Sequence, residues 1–325
     1  MKKLTDPFEL RDLSLKNRLV IPPMATGRSD DGKVSEELKS WYDEKTKNGK
    51  IGLVIVEHEY ILPEGKAGEN QLSVSDDEDI KGLSELADII HRNGSKAFLQ
   101  INHAGGKACI ELPKAPSATE YKTRSSERIA KMMDEEDIRN VTEGFVKAAL
   151  RAKKAGFDGV EIHAAHGYLL SQFYSPLTNH RTDAYTGSTL EGRTRLHCEI
   201  IRKVKEAVGQ DYPVAIRFGA ADDMEGGAEG KDAPVAAKLF EEAGCDLIDV
   251  SGGLSGYIRP EIKDAGYFRQ EADAIAQSVR IPVLTAGGIT SRKEADDLLA
   301  HYHFDLIGVA RAIFRDSDWA EKNMD

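Results

Sequence analysis

The sequence predicts an α/β fold, a single (β/α)8 TIM barrel with an N-terminal hairpin, and three observations carry that expectation. Short apolar runs alternate with stretches of helical spacing along the whole chain, which calls for a parallel sheet with helices outside it, and eight such runs close into a barrel. A doubly wound open sheet would share the alternation, but no GxGxxG follows the first run and no GxxxxGK[ST] occurs anywhere. Two long insertions, 105–134 after the third strand and 171–189 after the fourth, both fall on the strand C-terminal face, where barrels build their sites. A length of 325 residues suits one such domain, spanning 1–325.

Each element has its own signal. Residues 8–18 (FELRDLSLKNR) alternate with period two and read as a short hairpin or flap, and LVIPPM at 19–24 is an apolar run ended by prolines, the first strand. Helix follows over 35–49, with Ser35 as its cap, Leu38, Trp41 and Tyr42 at helical spacing, and Gly49 at its end. The unit then repeats as strand 53–61, helix 77–93 stopped by Gly94, strand 96–103, helix 136–154, strand 160–165 and helix 191–208. Strand 213–219 begins at Pro213, where a missing N–H is tolerated. Helix 235–243, strand 247–251, helix 268–278, strand 282–286, helix 292–302 and strand 305–310 complete the cycle.

Composition narrows the classes of partner. A hydrophobic content of 40% with 30% charged residues describes a folded globule, not a disordered or fibrous chain. A net charge of −11 and a pI near 5.4 argue against nucleic acid or an anionic membrane as main partner, because the average surface repels both. Cys109, Cys198 and Cys245 lie far apart without CxxC spacing, so buried thiols are expected, not a disulfide framework or a metal site. The opening MKKLTDPFELRDLSL has no apolar run behind its lysines, and no segment is apolar for long enough to span a bilayer, so the expected location is the cytoplasm.

The densest chemistry lies at 158–193, DGVEIHAAHGYLLSQFYSPLTNHRTDAYTGSTLEGR. There the apolar run 159–162 delivers His163, His166 and Tyr168, three side chains able to donate a proton or hydrogen bond, to the end of a strand. A lone histidine beside an apolar strand is usually structural; clustering at a strand end is what points to function. A metal reading is poorer, since no third ligand stands at useful spacing and HExxH is absent. Farther on, Gly287 and Gly288 in LTAGGI would let backbone N–H groups approach a phosphate, and Arg311 one βα unit later would add a charge-assisted contact.

The segment resembles the signature of the old yellow enzyme family of flavin-dependent ene-reductases, in which HxxH(or N)GY is followed by SPLxNxRTDxYGGS. His163, His166, Gly167, Tyr168, Ser175, Pro176, Asn179, Arg181, Thr182, Asp183, Tyr185, Gly187 and Ser188 all fall in register. The resemblance runs from PFEL near the start to FRDSDW near the end, and PPMATG is more similar to the barrel of the larger 2,4-dienoyl-CoA reductase relatives, with a stand-alone barrel as the expectation. It implies tightly bound, non-covalent FMN across the barrel mouth. Pro22, Pro23, Met24 and Ala25 would run beside its ring, Gln100 and Arg217 would hold the pyrimidine edge, and Gly287, Gly288, Ala310 and Arg311 would hold the phosphate. A fixed charge at Arg217 suits that place, because it stabilises the negative charge of the reduced ring; the bland reading is an inward arginine paired with a carboxylate.

The resemblance further implies NADH or NADPH as reductant in a ping-pong cycle, and a small α,β-unsaturated carbonyl compound as substrate. Reducing its C=C bond needs a proton donor at one carbon and hydrogen-bond donors on the oxygen where charge develops, roles implied for Tyr168 and for His163 and His166. Some positions depart from the family pattern. Ala25 stands where many members carry Cys or Thr, with Thr26 as a possible substitute, and Gly27 replaces a tyrosine of one subgroup. His58 replaces a small residue and would narrow the pocket or add a donor, and Ala310 replaces a common glycine. Two other readings stay open: a flavin-dependent amine oxidase or demethylase on the same scaffold, and a non-catalytic flavin- or phosphate-binding barrel. The physiological alkene, the choice between NADH and NADPH, and any homo-oligomer are left open as well.

Overall fold

In the computed structural model, which describes residues 1–109, 116–122 and 129–324, eight parallel strands close into a barrel. They are β1 (Leu19–Ile21), β2 (Leu53–Tyr60), β3 (Lys96–Asn102), β4 (Gly159–Ala164), β5 (Val214–Gly219), β6 (Leu247–Ser251), β7 (Val283–Ala286) and β8 (Leu306–Gly308). Each pairs with its neighbours in sequence, and Ile307 opposite Leu19 joins β8 back to β1. Strand β1 is shorter than the apolar run predicts, because Pro22 and Pro23 have no N–H to give to a ladder.

Each predicted helix forms, to within a few residues at its ends. Ser35 caps Glu36–Thr46 by accepting the Leu38 N–H at 3.0 Å, and Asp134 and Ser291 close capping boxes on Glu135–Lys154 and Arg292–His301. Three helices carried no periodic signal because each is at most two turns long: Leu169–Tyr174, Arg311–Arg315 and Trp319–Met324. The 105–134 insertion holds a small sheet of Pro116–Ser117, Tyr121–Lys122 and Ile129–Met132; its positions 110–115 and 123–128 lie outside the described residues. Cys198 and Cys245 are buried as expected, but Cys109 is exposed, because it sits on the loop beyond the end of β3. Among the described residues no helix is long and apolar enough to cross a membrane.

The barrel interior is layered, and strand alternation explains the layers. At the N-terminal end, Val20, Leu53, Ile55, Phe98, Ala215, Leu247, Leu284 and Leu306 form an apolar floor, sealed from below by Leu10 and Leu15 of the hairpin Phe8–Leu10/Leu13–Leu15. Gly159 belongs to this floor by necessity, since a Cβ there would lie 2.5 Å from the Phe98 ring. Two residues further along β3 to β6, the same inward register carries Gln100, Glu161, Arg217 and Asp249. Two residues further still it carries Asn102, His163, Gly219 and Ser251 at the mouth. An apolar floor therefore supports a charged layer, and the charged layer supports the mouth.

Candidate active site

His163 is the penultimate residue of β4 with its ring buried, and its Nδ1 accepts the Ala165 N–H at 3.2 Å, which leaves Nε2 as the protonated nitrogen of the neutral ring. His166 is built differently. Its φ of +58° turns the chain sharply just past the strand, and its Nε2 lies 2.8 Å from Ser251 Oγ at the end of β6. When the serine hydroxyl donates to Nε2, the imidazole proton sits on Nδ1, so the two histidines present different nitrogens as donors. Their centroids are 4.9 Å apart, and the Tyr168 ring stands 5.0 Å from His163 at the start of Leu169–Tyr174.

His58 on β2 adds a fourth ring, 5.9 Å from His163 and 5.4 Å from Tyr168, and its Nδ1 lies 2.7 Å from Gln71 Nε2. An amide nitrogen can only donate, so His58 also keeps its proton on Nε2. Burial, then the Arg217 charge, lowers its pKa to about 4, and burial first of all holds His163 and His166 well below the usual imidazole range. Burial, then Tyr257, raises the Tyr168 hydroxyl, which therefore keeps its proton. The site is a set of neutral donors.

The residues after Tyr168 build the scaffold around it. Buried Gln172 donates to Ala104 O and Gly167 O and accepts from Gly106 N–H and Ser117 Oγ, pinning the loop after β4 to the loop after β3. Arg181 ties the 105–134 insertion down through Ala118 O and Met133 O, and Asn179 bridges Phe173 O and Tyr185 O. At Gly187 a Cβ would lie 1.8 Å from Asn179 O, so only glycine fits. These motif residues are therefore structural, and they fix where Tyr168 stands.

Arg217 lies across the barrel below the rings. Its Nη1 donates to Pro23 O at 3.4 Å, reaching from β5 to the loop after β1 on the opposite wall, and its Nε is 3.3 Å from Asp249 Oδ2. Gln100 Nε2 donates to Glu161 Oε1 at 2.7 Å. Pro22 is buried, Pro23 and Met24 are half-buried, and Ala25 is exposed at the rim. Thr26 is no substitute for a ring-facing Cys or Thr, because its hydroxyl is given to Glu57 Oε1 at 2.6 Å. On the far side Gly287 and Gly288 adopt φ of +116° and +70°, with Tyr267 packed where any Cβ would be, and Arg311 Nη2 donates to Tyr267 Oη at 2.9 Å beside Ala310. Every expected site residue thus stands at or near the C-terminal end of a barrel strand.

A model of the NADH:flavin oxidoreductase / NADH oxidase family matches residues 3–324. The chain belongs to that family. An NADPH dehydrogenase of Halalkalibacterium halodurans is 41% identical over 320 residues, covering 98% of this chain and 92% of that protein. An NADH oxidase of Thermoanaerobacter brockii is 38% identical over 322 residues, covering 96% of this chain; the chain spans only 49% of that relative's length. The solved old yellow enzyme homologue from Zymomonas mobilis shares the fold, with a TM-score of 0.83 at 23% identity over 98% of this chain and 92% of that one. Membership makes the chain an NAD(P)H:flavin oxidoreductase that binds FMN.

The residues at the mouth fit that cofactor. Arg217 Nε is buried without a hydrogen-bond partner, a donor left over for a ring acceptor, and the exposed Arg311 stands beside the glycine pair Gly287 and Gly288, against which the Tyr267 ring is packed. Sequence reasoning missed several neighbours in this flavoprotein site. Lys107 Nζ donates to His166 O at 2.8 Å and lies 6.0 Å from the Tyr168 centroid, in space open only because residue 167 is glycine. Ser251 could have been found as the polar last residue of a barrel strand. Gln71, Tyr257 and Tyr267 lie on loops without a pattern to mark them.

Proposed function

We propose that the barrel acts over 1–325 as one FMN-binding unit that reduces the activated C=C bond of a small α,β-unsaturated carbonyl compound with NAD(P)H. The observation that carries this reading is the neutral cluster of His163, His166 and Tyr168 at the mouth, above Arg217. FMN bound there would supply the two-electron hydride chemistry that links nicotinamide and alkene.

His163 Nε2–H and His166 Nδ1–H hold the substrate carbonyl oxygen. Negative charge grows on that oxygen as the alkene is reduced, and preorganised donors in a site shielded from water stabilise it. Neutral imidazoles suit this task, because they stay donors over a wide pH range while holding their own protons. Tyr168 delivers its phenolic proton to the carbon next to the carbonyl, and solvent restores it. Arg217 holds the pyrimidine edge together with Gln100, Pro22 to Ala25 flank the ring, and Arg311 with Ala310, Gly287 and Gly288 holds the phosphate. His58 fills the space beside Tyr168 and narrows the pocket to small substrates.

With nicotinamide and alkene using the same mouth in turn, initial velocities over both substrates should give parallel lines in double-reciprocal form. Intersecting lines would contradict the shared site. An N-methyl amine that reduces the bound flavin, while enones leave reduced flavin unchanged, would move the reaction to the oxidase or demethylase class.

A further inference from the structure

Below the mouth lies a pair of acids that the proposed chemistry does not use. Glu161 and Asp249 are fully buried in the charged layer. Glu161 receives Gln100 Nε2 on Oε1 and has no partner on Oε2, and Asp249 has no hydrogen-bond donor on either oxygen. The cation beside Asp249 is Arg217, whose Nε is 3.3 Å from Oδ2 without hydrogen-bond alignment. The groups that face Asp249 are Arg217 in register on β5 and Glu161 from β4; β7 presents the apolar Leu284 in register on the other side. Two carboxyls thus share one guanidinium in a region closed from below by the apolar floor. Ionising both would bury an uncompensated charge, which costs several kcal/mol, so the pair tends to retain a proton.

We propose that Asp249 takes up a proton from solvent when the bound flavin is reduced, so that the Arg217 charge is freed for the cofactor. The inference rests on the assignment of FMN to this mouth. Two electrons and one proton reach the flavin and leave it one negative charge richer; one further proton adds to a carboxylate oxygen of Asp249, forming an O–H bond and breaking no bond within the protein. The driving force is competition for one cation. Arg217 lies between the mouth above and Asp249 beside it, and a new negative charge at the mouth cancels the field that keeps Asp249 ionised.

Burial raises Asp249 to about 6 against the lowering effect of Arg217, and burial together with Asp249 raises Glu161 well above the usual carboxylate range. Cancelling the Arg217 field moves Asp249 further up. Proton uptake on reduction therefore occurs above about pH 6, and below that pH Asp249 already carries the proton before reduction. Asp249 acts here as a positioning residue, since it works through Arg217 and not on the reacting atoms.

Reduction-induced infrared difference spectroscopy of the FMN-loaded protein at pH 7.5 tests this without reference to turnover. The expected result is a new C=O stretch of a protonated carboxyl on reduction, absent in Asp249→Asn, shifted in Asp249→Glu and retained in Glu161→Gln. The slope of flavin potential against pH above pH 6 should be twice that of Asp249→Asn, which takes up one proton per two electrons. No carboxyl band on reduction, or a band unchanged in both Asp249 variants, would overturn the inference while leaving the function standing. Failure of the protein to bind FMN at all would instead remove the functional reading on which the inference rests.

Discussion

The ring of Tyr168 meets that of His163 at 74°, with centroids 5.0 Å apart, so the proposed proton donor and one proposed carbonyl donor share one edge of the mouth. This contact separates the two half-reactions. Tyr168→Phe keeps the ring packing and removes only the hydroxyl, so flavin reduction by NAD(P)H should proceed at the parent rate. Alkene reduction should slow by about 10²–10⁴-fold, the usual contribution of a positioned general acid. Stopped-flow measurement of each half-reaction checks this, and equal loss in both halves would count against the assignment.

The phosphate cradle makes a separate prediction. Arg311→Ala should weaken FMN binding by about ten- to a hundredfold, corresponding to the roughly 1.5–3 kcal/mol of a charged hydrogen bond. Gly288→Ala should do at least as much, because the residue has φ of +70° and an added Cβ would sit 2.7 Å from the Tyr267 ring. Fluorescence titration of the apoprotein with FMN reads both, and parent-like affinity in Arg311→Ala would remove Arg311 from the phosphate site.

His103 makes stability depend on pH in a known direction. Its ring is fully buried, Nδ1 accepts the Gly105 N–H at 3.0 Å, and burial lowers its pKa to about 4. The unfolded chain, with an imidazole pKa of about 6.5, binds this proton more readily than the folded one. The stability that His103 contributes is therefore complete above about pH 6.5 and is lost as pH falls toward about 4. The Tm difference between the parent and His103→Asn, whose amide oxygen can still accept the Gly105 N–H, should shift against the parent across that window. A difference independent of pH would show that the ring titrates alike in both states.

The barrel floor yields the simplest packing test. Gly159→Ala places a methyl 2.5 Å from the Phe98 ring, where neither strand can retreat without opening the β3–β4 ladder. Overpacking of this kind costs about 1–3 kcal/mol. Chemical denaturation should show the loss, and Phe98→Leu in the same chain should restore part of it by vacating the space.

The barrel was legible because eight apolar runs and their intervening helices obey strict local periods, and because prolines and glycines mark their ends. The mouth was legible where a motif carries several groups at once, as in His163, His166 and Tyr168. What stayed hidden depends on approach through space. Nothing local says that Gln71 reaches His58, that Ser251 on β6 reaches His166 Nε2, or that Asp249 flanks Arg217. The downstream SPLTNHRTDAYTGS stretch resembled part of a site, yet its Asn179, Arg181 and Gly187 hold backbone in place and carry no chemistry themselves.

The central claim is that one mouth takes hydride from a nicotinamide and gives it to an activated alkene through FMN. The visible absorption spectrum of the purified protein, recorded anaerobically before and after NADH or NADPH and then after an enone such as 2-cyclohexenone, tests it in one cuvette. The account predicts a flavin band that bleaches with the nicotinamide and returns with the enone. Bleaching that no enone reverses would contradict the proposed substrate class, and the absence of any flavin band after incubation with FMN would contradict the account at its root.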